Sequence, residues 1–108
     1  GVFYQSADGK IIDFNQNALK LFGLSRDQFL GRTSLDPSWK VIHEDGTDYP
    51  GGEHPSMAAL ETGRPVLNKT AGVFNPVRND YVWLNINAIP QFRENETQPF
   101  QVFVTLHI

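Results

Sequence analysis

Two stretches of the chain alternate apolar and polar residues with a period of two, and this limits the fold more than any other feature. Val82, Leu84, Ile86 and Ala88 alternate with Tyr81, Trp83, Asn85 and Asn87. After a polar loop from Arg93 to Gln98, Phe100, Val102, Val104, Leu106 and Ile108 repeat the pattern. Side chains of a strand point alternately to its two faces, so each stretch reads as a strand with one face on a core. Strands of this half-buried kind belong to antiparallel sheets. Residues 66–74 are also β-prone, and Asn75-Pro76-Val77-Arg78-Asn79-Asp80 forms the turn that follows them.

The N-terminal half supplies two more strands and the helices. Val2, Phe3 and Tyr4 precede the hairpin signal Ser6-Ala7-Asp8-Gly9, and Ile11, Ile12 and Phe14 return from it. Asn15 caps a helix running to Phe22, with Ala18, Leu21 and Phe22 on one side and Gly23 ending it. Ser25 and Gln28 form a capping box for a second helix that Gly31 closes, and Leu24 and Phe29 occupy the positions of a hydrophobic staple. Trp39-Lys40-Val41-Ile42 can form a strand, with a turn at Glu44-Asp45-Gly46-Thr47 and a return through Tyr49. Pro55 opens a third helix containing Met57, Ala58 and Leu60, which Gly63 and Pro65 stop. Helices this short need a surface to lie on. Strands bracketing a block of short helices give an α+β domain: an antiparallel sheet with helices on one face.

A length of 108 residues holds one domain, spanning 1–108. Nine Lys and Arg stand against twelve Asp and Glu, net charge −3, with no basic run, which argues against nucleic acid as a partner of this domain. No apolar stretch approaches the ~20 residues that span a bilayer, so no membrane contact is expected either. Cysteine is absent, which excludes disulfides, thiolate metal sites and Cys nucleophiles and suits a cytoplasmic setting. The chain starts without Met and stops within a strand pattern, so it is expected to be one domain of a longer protein.

At this point the sequence resembles the PAS sensory domain family. The likeness is carried by Asp8-Gly9-Lys10-Ile11-Ile12, by Asn15 through Gly23 and by Leu24 through Gly31. It continues in His43 to Thr47, His54-Pro55, Ala59-Leu60, Thr62 to Val66, Gly72-Val73, Trp83-Leu84 and Ala88-Ile89-Pro90. The resemblance implies a five-stranded antiparallel sheet with short helices packed on one face. It implies a signal-sensing or dimerisation module in a bacterial protein, regulating an attached output domain through flanking helices. That output would be a diguanylate cyclase, a histidine kinase or a transcription regulator. The alternative is a ligand-free interaction module with a filled core. The family's usual closing Asp-Ile-Thr is replaced by His107-Ile108. Without Cys, the covalent flavin and coumarate chemistry of some PAS domains is excluded.

His43, Glu44, Asp45, Asp48, Glu53 and His54 crowd one segment, but their spacing is that of a solvated loop rather than a metal site. Haem is disfavoured because the helix from Pro55 to Thr62 has no His, and only His54 stands at its edge. No nucleophile elbow or phosphate loop occurs, so the domain is expected to be non-catalytic. The cofactor, if any, is left unnamed. A small-molecule pocket would draw on Leu84, Ile86, Ala88, Val102 and Val104 from the strands, Phe22, Phe29, Met57 and Leu60 from the helices, and Val73. Arg64 is the candidate for an anionic ligand group. A solid core of the same residues is the competing expectation. Asn85 and Asn87 point outward in this register and inward in the reverse one. Tyr81, Trp83 and Phe103 then share the outer face, where a flanking helix or a second copy in a homodimer would cover them.

Overall fold

The computed structural model describes residues 1–36 and 38–108. Six strands form one antiparallel sheet: β1 Val2–Ser6, β2 Ile11–Phe14, β3 Val41–Ile42, β4 Val66–Asn75, β5 Asp80–Gln91 and β6 Gln101–His107. Their spatial order is β2-β1-β6-β5-β4-β3, so the first and last strands of the chain pair inside the sheet and β5 and β6 lie at its centre. The sixth strand is the difference from a five-stranded expectation. It is the two-residue β3, added at the edge through Val41 opposite Val73 and Ile42 opposite Gly72. The return through Tyr49 makes only the Ile42–Asp48 bridge, because Pro50 and the 3₁₀ turn Gly51–Glu53 take the chain away from the sheet.

The helices α1 Gln16–Phe22, α2 Arg26–Phe29 and α3 Pro55–Thr62 follow their local signals. Asn15 Oδ1 accepts from the Ala18 N–H at 3.1 Å and from the Val2 N–H at 3.0 Å, so one side chain both caps α1 and ties it to β1. Ser25 and Gln28 make the reciprocal capping box of α2 at 3.2 and 2.9 Å. These helices are too short to persist alone and are held by what they bury. Phe29 is wholly buried although α2 is a single turn. Its ring centroid lies 5.0 to 6.2 Å from those of Phe3, Phe14, Phe22 and Trp39.

The sheet register settles which face is the inside. Val82, Leu84, Ile86 and Ala88 are buried, as are Val102, Val104 and Leu106 on β6. Asn85 and Asn87 therefore lie on the outer face, where Asn87 Nδ2 donates to Thr105 Oγ1 at 3.3 Å. α3 packs across β4, β5 and β6, and α1 packs on β1 and β4. Among the described residues no helix is long and apolar enough to cross a membrane.

Candidate ligand-binding cavity

The inner face is not packed solid. A cavity of about 60 Å³ remains between the sheet and the segments that cover it. Phe3, Ala71, Val73, Ile86, Val104 and Leu106 form its floor, with Val41 and Ile11 at the sides. Phe22, Phe29, Trp39 and Pro55 form its roof. Aromatic walls on an apolar floor give a site for a compact, flat or apolar body.

Trp39 closes the roof because its surroundings fix it. The indole Nε1 donates to the Thr33 carbonyl at 2.7 Å, and the Arg32 guanidinium lies over the ring at 4.7 Å. Arg32 is itself held, donating through Nε to the Gln28 carbonyl at 3.0 Å and lying 3.8 Å from the Asp36 carboxylate.

One end of the cavity is polar. Gln5 follows Phe3 on the inner face of β1, opposite Ile11, next to an irregularity in the β1–β2 register. Its Nε2 donates to the Gly9 carbonyl at 2.6 Å and to Ser34 Oγ at 3.1 Å, and Ser34 Oγ lies 3.5 Å from Ser56 Oγ. Gln5, Ser34 and Ser56 are all buried and all line the cavity. Gly51 lets this end close: its backbone lies so near the Ser34 carbonyl that a Cβ there would overlap it.

His54 completes the polar end and separates the cavity from a neighbouring surface cleft. Ser34, Trp39, Val41 and His54 line both, so the cleft is the short route from solvent to the interior. His54 Nε2 lies 3.0 Å from the Tyr49 carbonyl oxygen, and burial pushes the imidazole's pKa below its ordinary value, which keeps it neutral near pH 7. The Tyr49 ring stacks on His43 with centroids 4.0 Å apart and meets His54 edge-on at 5.4 Å, so it stands between the two imidazoles. Burial, and secondarily the Glu53 charge, raise the Tyr49 hydroxyl's pKa. Among the described residues no three His, Cys, Asp or Glu side chains converge as a metal site would require.

The structure gathers Phe22, Phe29, Val73, Ile86 and Val104 around the cavity. Leu84, Ala88 and Val102 are buried on the same face but pack into the core without lining it. Met57 and Leu60 are half-buried on α3, and Met57 instead covers Gly9 in the β1–β2 turn. Arg64 is exposed beyond the end of α3, where Gly63 adopts a left-handed conformation and turns the chain toward β4. Gln5, Ser34, Trp39, His54 and Ser56 were missing from the sequence-based set. The available signal for Gln5 was its period-two spacing from Phe3, which puts an amide on a face otherwise apolar.

On the outer face, Tyr81 and Trp83 project from β5 and Phe103 from β6. Phe103 pairs across with Tyr4, ring centroids 5.1 Å apart, and with Ile89. Trp83 lies on Gly72, whose missing Cβ leaves room for the indole, and remains 43% exposed.

An antiparallel sheet with short helices cupped over one face and a cavity beneath them defines the class of α+β domain. The profile of the PAS domain family matches residues 1–107, and the chain belongs to that family. No curated protein matches it. Among solved structures, a PAS domain from Colwellia psychrerythraea is similar at TM-score 0.68 and 19% identity, over 98% of this chain and 82% of that one. Drosophila melanogaster Cycle PAS-B with bound ethylene glycol is similar at TM-score 0.70 and 14% identity, over 98% and 96% of the two chains. The PAS domain of histidine kinase ThkA is similar at TM-score 0.58 and 28% identity, over 97% and 94%.

Proposed function

We propose that this PAS domain is a sensor whose interior cavity holds a small molecule and whose occupancy regulates an attached output domain. The observation that carries the reading is the cavity itself, with aromatic walls, one polar end and a cleft beside it. Protein interiors hold few voids larger than a water molecule, which supports reading this space as a site rather than as filled core. A ligand acts on the output only through different affinities for two arrangements of the domain. The outer face is the side of the sheet on which those arrangements would be read, by a flanking helix or by a second copy in a homodimer. The exposed Trp83 and the half-buried Tyr81 and Phe103 support that role. The histidine kinase context of ThkA supports a kinase output, with diguanylate cyclase or transcription regulator outputs as alternatives. The reading gives the domain no turnover of its own.

Native mass spectrometry of the gently purified domain tests this. A non-covalent adduct that disappears on denaturation supports a sensor and gives the mass of its ligand. A ligand-free mass that stays unchanged when small apolar and amphiphilic molecules are added contradicts it.

A further inference from the structure

We propose that the cavity selects a small uncharged molecule carrying an N–H or O–H donor, and that Gln5 Oε1 is the acceptor for that hydrogen. This rests on the ligand-binding reading above and adds the chemistry of the ligand.

Gln5 is 1% exposed and lines the cavity. Both amide hydrogens are committed, one to the Gly9 carbonyl at 2.6 Å and one to Ser34 Oγ at 3.1 Å. The reverse amide orientation would set Oε1 against the Gly9 carbonyl, acceptor against acceptor, so the hydrogen-bond network fixes which atom is oxygen. Oε1 is then the one buried side-chain polar atom without a partner among the described residues. Native proteins rarely leave such an atom unpaired. A carboxamide oxygen can only accept, so the group it lacks is a donor.

The rest of the lining sets charge and size. Among the described residues no Lys, Arg, Asp or Glu lines the cavity, so neither an anion nor a cation would find a counter-charge there after losing its water. His54, the one titratable group among the described lining residues, is kept neutral near pH 7 by burial. A volume of about 60 Å³, against the about 150 Å³ of a cavity that takes benzene, encloses only a few non-hydrogen atoms, and a five-membered ring would extend toward the cleft that shares its lining. Against Phe22, Phe29 and Trp39, that points to a short alcohol or a five-membered N–H heterocycle.

Pyrrole and furan test this directly. They have the same size and shape, and only pyrrole donates a hydrogen bond. Amide and methyl NMR shifts of the domain are followed as each is added. Pyrrole is expected to bind about two- to tenfold more tightly than furan, the range of one net hydrogen bond. In Gln5→Met the two should bind equally. Equal binding of both by the unaltered domain overturns the donor inference while leaving the cavity as a binding site. Absence of binding by either overturns the inference together with the ligand-binding reading. A pyrrole preference that survives in folded Gln5→Met overturns the role of Gln5. The unaltered domain decides the donor question whether or not that variant folds.

Discussion

The Asn75 side-chain amide stands in the space that a Cβ on Gly23 would need. Asn75 closes β4 and Gly23 ends α1, and the amide bridges the two. Its Nδ2 donates to the Lys20 and Leu21 carbonyls at 3.0 and 3.1 Å, satisfying two acceptors that the end of a helix leaves free. Its Oδ1 accepts from the Val77 and Arg78 N–H groups at 3.0 and 3.1 Å, shaping the β4–β5 turn. One buried side chain thus fastens the helix that carries Phe22 to the strand that carries Val73.

Replacing either residue should loosen that joint. Gly23 has φ 67°, a left-handed conformation that costs a side-chain-bearing residue about 1–2 kcal/mol. Gly23→Ala also expels the amide, so a total loss of about 2–4 kcal/mol is expected in urea denaturation. Asn75→Asp should lose a similar amount, because a carboxylate would face two carbonyl oxygens. A loss below about 0.5 kcal/mol in both variants would remove this joint from the account.

The two halves of that joint were each readable in the sequence, but their meeting was not. Gly23 reads as a helix stop and Asn75 as the start of a turn, both from local chemistry. Their contact depends on the sheet order, which carries β4 to α1. The same division holds for the cavity. Strand alternation correctly set the inner face of β5 and β6, and the caps at Asn15 and Ser25 set the helix starts. The residues that separate cavity from packed core come from β1, the segment before β3, the start of α3 and β4. No periodicity links those segments. Trp39 has no pattern of its own and enters the roof through the Thr33 carbonyl and Arg32.

Val102 and Val104 occupy the same face of β6, yet only Val104 lines the cavity. Adding one methylene to each should therefore have different effects. Val102→Ile overpacks a filled site and should lose about 1–3 kcal/mol. Val104→Ile projects into free volume and should be neutral or gain up to about 1 kcal/mol, while weakening pyrrole binding. Urea midpoints compared at equal m-value check both, and equal losses would mean that the interior is uniformly packed.

His54 gives the domain an acid-sensitive component. Its pKa lies below 6.5 in the folded domain, chiefly through burial, and near 6.5 in the unfolded chain. Between those values the unfolded chain holds a proton that the folded domain does not. The His54 contribution is therefore full above pH 6.5 and is lost as pH falls through the folded pKa. His54→Asn should flatten this slope in urea midpoints measured across that window. An unchanged slope would place the acid sensitivity elsewhere.

The outer face should govern association. If a second copy covers Trp83, sedimentation velocity of the domain should show a concentration-dependent dimer that Trp83→Glu converts to monomer. Tyr4, Ile89 and Phe103 provide the adjoining apolar surface. A monomer at all concentrations would leave a flanking helix as the occupant of this face.

Sensing requires that occupancy inside the sheet be felt on its outside, and the two tryptophans of the chain report the two sides separately. Trp39 lines the cavity and Trp83 lies on the outer face over Gly72. Their indole N–H signals can be followed together by ¹H–¹⁵N NMR as pyrrole is added. Both signals should move along one binding curve, with the Trp83 shift lost in a variant whose cavity is filled. Movement of Trp39 alone, with Trp83 unchanged at saturation, would contradict it.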